Sequence, residues 1–570
     1  MGTDSKKNIS FTNYFWTTLI LLFFGVLCAA RPQWGVVIAV IGLLALFSHR
    51  YLNSKISEGE DAAKVYPKRL AALCVLMYLF LPHLFYKLGD IGLFIQFGIS
   101  STVLIFSVFH VIKANNFKWK VIKSNFWMFA VILSVLISMV YGYAAKGVPV
   151  NPRDILAIKD PLFLFFMFTI FFQQEWNAQD IKRYFFRPLL TGGTITIILG
   201  LIQYLQIPGL NESVFAYWTE EQHLAELMKP DARRIFSTFY SAGNFGIFLV
   251  LLMTHFLAAF FSNPGLKRVS TAIGFILAVV ALFMVASKGT FILFLLMIFL
   301  FPIIYFRSPT VKFASLGAIV VIVTVFTILS WSLLSQTYMM KRMESVFRSA
   351  KAVATFGTST RPEEVLDETS IGRVAPWVRS APMIKASPIL GYGPGKTLMK
   401  ELGYQYRETQ SFKNPFESSY LQIVFRFGLI GVIVNFGLML NFILMHLKVI
   451  RLKECPTEFY RIASVGVIFG LLLYVIFLNT DCIFNIRLMA PVYAAAGISA
   501  SFLFKSQHAR PLFHVPFSKV SINEGNKCTR PLFLSFPFPY SGWSVYLVNT
   551  IPASVAWMVK KSPLQVTKCL

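Results

Sequence analysis

TAIGFILAVVALFMVASKGTFILFLLMIFLFPIIYF occupies residues 271–306, and its reading decides the fold class. Two apolar runs, from Thr271 and from Thr290, meet at the outward turn Ser287-Lys288-Gly289-Thr290. Each run is about long enough to cross the ~30 Å hydrocarbon core of a bilayer as a helix. Comparable runs begin close to Tyr14, Trp34, Leu70, Ile91, Phe126, Pro161, Pro188, Asn244, Phe313, Ser418, Ile462 and Leu488. The expected fold is therefore an all-α integral membrane protein, a polytopic bundle of about 12–14 transmembrane helices with one large extracytoplasmic loop.

Composition supports this reading. Of 570 residues, 56% are hydrophobic and only 14% charged, and 58 are Phe. No soluble core buries so much apolar surface, whereas a bilayer does. A net charge of +27 would point to nucleic acid in a soluble protein. Here the cations fall in short links between apolar runs, so membrane topology explains them and no nucleic-acid partner is expected. Cys28, Cys74, Cys455, Cys482, Cys528 and Cys569 show no CxxC and no metal-ligand spacing and read mostly as buried or interfacial packing residues, so they offer no metal site, and no cofactor is expected. Lys6 and Lys7 before an apolar run read as a retained signal anchor.

The links alternate. Basic residues gather at Lys6/Lys7; Arg50 to Arg69; Lys113 to Lys123; Lys182, Arg183 and Arg187; Lys267/Arg268; Arg307/Lys312; and Lys448 to Arg461. Every second link carries them, so both termini are expected on the cytoplasmic side of the membrane. The chain divides into transmembrane helices with shorter outer loops (1–333), a large outer loop (334–417), C-terminal transmembrane helices (418–504) and a basic Pro/Phe-rich tail (505–570). Three outward links are long, Tyr143–Asp160, Gln206–Gly243 and Leu333–Phe416. They hold cations against the charge bias: Arg153 and Lys159 in the first, Arg233 and Arg234 in the second. Such cations either hold an anion or simply escape the rule, as long loops do.

Four motifs cluster on that outer side. Arg234-Ile-Phe-Ser237-Thr238-Phe239 precedes Gly243-Asn244-Phe245-Gly246, where Asn244 reads as a helix cap. Lys288 at the hairpin tip is either snorkelling or a point charge facing phosphate. Gly372-Arg373-Val374-Ala375-Pro376-Trp377, with Arg379, is followed by Gly391-Tyr392-Gly393-Pro394-Gly395. The glycines there read as a turn whose backbone approaches a sugar or phosphate closely. Glu417-Ser418-Ser419-Tyr420-Leu421 then enters the next span, with Phe427-Gly428-Leu429-Ile430-Gly431 beyond it.

In order and spacing these four motifs resemble the O-antigen ligase / Wzy-type polysaccharide polymerase family. The resemblance covers roughly residues 233 to 431. It implies glycosyl transfer from an undecaprenyl-diphosphate-linked oligosaccharide to a sugar hydroxyl, without a nucleotide sugar or an essential metal. On this resemblance Arg373 and Lys288 hold the diphosphate and Glu417 is the general base. Arg234, Arg233, Trp377, Arg379, Gly391, Gly393, Tyr420, Arg153 and Lys159 would line the substrate. Membrane lipid is an expected partner, and the family adds a flippase and a chain-length regulator. Two positions depart from the pattern. Lys288 stands where the family has Arg, replacing a bidentate fork by a point charge. Glu417 stands where ligases have His, which favours the polymerase branch. Asn414-Pro415-Phe416-Glu417 also reads as the first turn of a helix, with Glu417 in a capping box. The expected activity is polymerisation of surface polysaccharide. The alternatives are an O-antigen ligase transferring glycan to lipid core or protein, a transporter or flippase of lipid-linked sugar, and a purely structural membrane protein. A transporter would show internal repeats and mid-membrane charge, and neither is evident in the sequence.

Overall fold

The computed structural model describes residues 62–80, 126–148, 156–208, 234–239, 241–334, 380–394, 418–479 and 486–509, with isolated positions between 52 and 113 and at 150, 154, 227 and 228. In chain order these form α1 (Ala62–Phe80), α2 (Phe126–Ala145), α3 (Leu156–Gln173), α4 (Ala178–Tyr204), α5 (Ala242–Ser262), α6 (Leu266–Val285), α7 (Lys288–Tyr305), α8 (Pro309–Leu334), α9 (Ser419–Arg451), α10 (Thr457–Asn479) and α11 (Ile486–Ala509). No strand occurs among the described residues. Among the described residues eight helices are long and apolar enough to cross a membrane: α2, α4, α5, α6, α7, α9, α10 and α11. The chain is an all-α, multi-pass membrane protein. The runs expected from Tyr14, Trp34 and Ile91 lie outside the described residues, as does the tail beyond Ala509.

Six helices, α1, α3, α4, α6, α8 and α10, start several residues earlier than the apolar pattern indicates, because each carries charge or proline into its first turns. α1 begins at Ala62, so Lys64, Lys68 and Arg69 stand on a helix instead of in a link. Arg69 is buried and donates to the Leu52 carbonyl at 2.7 Å. Lys68 pairs with Asp180 at 2.6 Å, tying α1 to the start of α4. α3 begins at Leu156, with Pro161 inside it. In α4 the basic stretch Lys182–Phe186 forms a π turn that runs on into Pro188. A wider turn there suits a proline, which gives no N–H and crowds the preceding turn.

Helix association in lipid depends on close packing, since the tails are as apolar as the side chains. The central position belongs to α5 and α10, whose spanning windows are each 78% buried, while α6 and α7 are 33% buried and face outward. Small residues let the backbones approach. Gly274 of α6 seats the Phe256 ring, Gly466 of α10 seats His446, and Gly497 of α11 lies on the Phe168 carbonyl. Phe168 stacks on Phe442 across α3 and α9, with ring centroids 6.2 Å apart.

The contacts sort the links into two ends. At one end Arg307 lies over the Tyr460 ring, 4.5 Å from its centroid, and the Tyr460 hydroxyl donates to the Tyr305 carbonyl at 2.6 Å. At the other end the turn after Val285, the segment 234–239 and the start of α11 come together, and the start of α9 is held to α10 by the bond from Tyr420 to Tyr474.

Candidate functional site

Residues 234–239 form an irregular segment that is buried along its length except at its head. Ile235, Phe236, Ser237, Thr238 and Phe239 are buried, whereas Arg234 is half-exposed. Buried backbone needs partners, and at membrane depth the protein must supply them. Gln203, at the end of α4, supplies most. Its Oε1 accepts from the Phe236 amide at 3.1 Å and the Ser237 amide at 2.6 Å, and its Nε2 donates to the Ser237 carbonyl at 2.9 Å. The Ser237 hydroxyl donates to the Thr196 carbonyl at 2.5 Å. These bonds hold Ser237 at φ 52°, a left-handed conformation that is costly for a non-glycine. From the other side the Ile235 amide donates to Met284 O at 3.2 Å, and Arg234 Nε donates to Val285 O at 3.1 Å.

That last bond joins two motifs. Val285 ends α6, Ala286 turns the chain with φ 48°, and Lys288 opens α7. Lys288 is half-exposed, like Arg234. Ser287 stands at the N-cap without capping through its side chain, and the Thr290 hydroxyl bonds back to the Ser287 carbonyl at 3.0 Å. The N-terminal end of α7 thus adds its partial positive charge to the Lys288 ammonium. Gly246 of α5 fits beneath it, against the Thr290 side chain. The cap of α5 is Ser241, whose hydroxyl accepts from the Asn244 amide at 3.3 Å, so Asn244 is a buried first-turn residue and not the cap.

The glycine-punctuated stretch is pinned onto another helix. After a short helix over 380–386, residues 388–393 lie against a break in α9 at Gly428, whose φ is 60°. The break leaves backbone groups unpaired within the helix, and the segment takes them up in both directions. Tyr392 and Gly393 amides donate to Phe425 O at 3.1 Å and Arg426 O at 2.7 Å, while Leu429 and Ile430 amides donate to Pro388 O at 2.8 Å and Ile389 O at 3.2 Å. Gly391 and Gly393 have φ of 66° and 75°. Their close approaches are to the Arg426 carbonyl and to the Ser138–Met139 backbone of α2, so the crowding that requires glycine comes from the protein itself. Tyr392 stacks on Phe425 with centroids 5.5 Å apart, and Lys146 donates to the Ala386 carbonyl at 2.8 Å.

Of the other residues singled out in the sequence, Lys159 stands in the first turns of α3, mostly buried, 3.4 Å from Asp160. The Tyr420 hydroxyl donates to the Tyr474 carbonyl and its ring stacks on Phe436, which sets it between α9 and α10. α9 starts at Ser419 with Ser418 as its N-cap, later than the capping-box reading of Asn414–Glu417 requires. Glu417 itself, Arg373, Trp377, Arg379, Arg233 and Arg153 lie outside the described residues, as does the greater part of the loop 334–417. Gln203, Lys146 and Arg487 were not singled out in the sequence, and Gly428, quoted within the motif Phe427–Gly431, gave no sign of the helix break it makes. Gln203 stands in an apolar run, Lys146 in a link, and Arg487 at the edge of a span. Among the described residues no group of three or more His, Cys, Asp or Glu could hold a metal ion.

A multi-pass helical protein in which a buried irregular segment headed by Arg234 is clamped beside the turn bearing Lys288 is the class that fold and site define. Residues 273–436 match the model of the O-Antigen ligase family, Wzy_C, so this part of the chain is similar to the O-antigen ligase / Wzy-type proteins. The match takes in Lys288, the loop and α9 as far as Phe436, including its break at Gly428. No curated protein matches the chain. Members of the family are glycosyltransferase-like enzymes of glycan assembly that act on lipid-linked glycans in the membrane.

Proposed function

We propose that this protein polymerises a surface polysaccharide, joining glycan units carried on undecaprenyl diphosphate at the outer face of the bacterial inner membrane, with both termini in the cytoplasm. The observation that carries the proposal is the bond from Arg234 Nε to Val285 O at 3.1 Å. It ties the second outward loop to the turn that bears Lys288, so two half-exposed cations from distant parts of the chain share one end of the bundle. Arg373 supplies a third cation in this reading.

The chemistry follows from where charge develops. An acceptor hydroxyl attacks the anomeric carbon, a new glycosidic C–O bond forms, and the bond to the diphosphate breaks. The diphosphate leaves with the electron pair, and Glu417 takes the hydroxyl proton. Arg373, Lys288 and Arg234 face the departing negative charge, and fixed cations near the membrane surface stabilise that transition state more than the bound substrate. Glu417 in place of the ligase histidine favours polymerisation over transfer to a lipid core.

Arg373→Ala tests the assignment in cells. Polymer should disappear while the protein accumulates to its normal level. Long polymer persisting in that variant would overturn the reading. Glu417→Gln, similar in size but unable to take a proton at neutral pH, should also lose polymer.

A further inference from the structure

Arg487, the second residue of α11, is buried and has no place in the chemistry described above. A guanidinium never gives up its proton in a protein, so burying one at the edge of a membrane span is expensive unless its donors and its charge are used. The structure shows how they are used. Nη1 donates to the Thr238 carbonyl at 2.5 Å, and the guanidinium carbon lies 5.0 Å from the centroid of the Phe239 ring. Phe239 is in turn packed on Phe248 of α5, with centroids 5.1 Å apart. The segment headed by Arg234 is therefore held by three helices. Gln203 of α4 grips Phe236 and Ser237, the end of α6 receives Ile235 and Arg234, and Arg487 of α11 grips Thr238 and Phe239.

We infer that Arg487 is a positioning residue for diphosphate recognition: it clamps Thr238 and Phe239, fixes the segment 234–239 from its C-terminal side, and so sets where Arg234 stands. Arginine suits this task better than lysine, because one planar group can bond a carbonyl and lie over a ring together. The charge serves a second purpose. It adds a fixed positive potential behind Arg234 without being spent on the substrate. The inference rests on the diphosphate reading of the site.

The experiment uses full-length protein in nanodiscs, with undecaprenyl diphosphate as the probe. Arg487→Met should weaken its binding at least fivefold, and Arg487→Lys should recover part of the loss. Phe239→Leu, which leaves the charge in place, should weaken it by a smaller factor. Against an Arg234→Ala background, Arg487→Met should cost nothing further, since both act through one side chain. If Arg487→Met does not fold, the lysine and leucine variants carry the test. Wild-type affinity in the Arg487 and Phe239 variants, or full additivity with Arg234→Ala, would overturn the inference alone. Failure of the wild-type protein to bind undecaprenyl diphosphate would overturn the site reading, and the inference with it.

Discussion

Gly391→Ala should release the segment 388–393 from the break in α9. At this position φ is 66°, and an added Cβ would stand 2.5 Å from the Arg426 oxygen and 2.7 Å from the Phe425 oxygen, closer than real Cβ contacts come. Both neighbours are backbone atoms, so no rotamer change gives relief. Holding alanine in the left-handed region costs roughly 1–2 kcal/mol. The clash must then be relieved by moving the chain away, which stretches the bonds from the Tyr392 and Gly393 amides to Phe425 O and Arg426 O, now 3.1 and 2.7 Å. Each such bond contributes roughly 0.5–1.5 kcal/mol. The total is about 3 kcal/mol, on the order of a hundredfold in the balance between docked and undocked states. Amide hydrogen exchange in nanodiscs reads this directly. Peptides covering 388–393 and 425–430 should exchange about a hundredfold faster, and the rest of α9 should keep its protection. Gly428→Ala attacks the same joint from the α9 side, since its φ is 60° and its Cβ would lie 2.6 Å from the Leu390 nitrogen. It should give the same pattern. Gly317→Ala, on α8 with nothing within 4 Å, is the control. Unchanged exchange in folded Gly391→Ala protein would refute the claim that these glycines exist for the joint.

Gly246→Ala would place a Cβ 2.6 to 2.8 Å from the Thr290 side chain, wedging α5 from the first turn of α7. Thermal unfolding should show a loss of about 1–3 kcal/mol, and adding Thr290→Gly should restore most of it. Burial pushes the Cys455 thiol, in the link between α9 and α10, up to about 11. Only the thiolate reacts, so a membrane-impermeant maleimide should label Cys455 very slowly at about pH 7.5, with a rate rising about tenfold per pH unit toward that value. Rapid labelling near neutrality would contradict the burial, and the side from which labelling succeeds reports the orientation of the basic links.

How much was legible depended on the kind of signal. Apolar length identifies spans because the bilayer imposes it on each helix separately, and the expected starts near Phe126, Asn244 and Thr290 fall within two residues of α2, α5 and α7. Where charge or proline runs into a helix, hydropathy marks the edge of the oil and not the first hydrogen bond, so α1, α3, α4, α6, α8 and α10 begin several residues early. The cations Arg234 and Lys288 stood out because outward links should lack them. Arg487 did not, although it is equally well built into the site, because at a span's edge a lone arginine looks like any flanking charge. The glycines 391 and 393 were legible as positions needing close backbone approach. Their described neighbours are backbone atoms of α2 and α9, which depends on a break at Gly428 more than 30 residues away and so was invisible locally.

The two clamped segments answer one physical problem in the same way. An irregular stretch packed against helices buries backbone groups that have no helical partner, so each group must find one elsewhere in the protein. At 388–393 the partner is the interrupted ladder of α9, and at 234–239 it is chiefly the Gln203 amide. Both arrangements leave little room for adjustment: Ser237 is held left-handed by bonds on each side, and the four bonds at the α9 break demand glycine in both segments. Rigidity bought in this way is useful only if something at the segment's edge must not move. At 234–239 the half-exposed residue at the head is Arg234. A cation that stabilises a leaving diphosphate contributes most when it is already in place as the charge appears, since reorienting it during the reaction would consume part of the gain. In the proposed reaction the buried bonds beneath Arg234 would be as much a part of its electrostatic effect as its own charge, and a variant that loosens them while sparing every cation should lose turnover before it loses its fold.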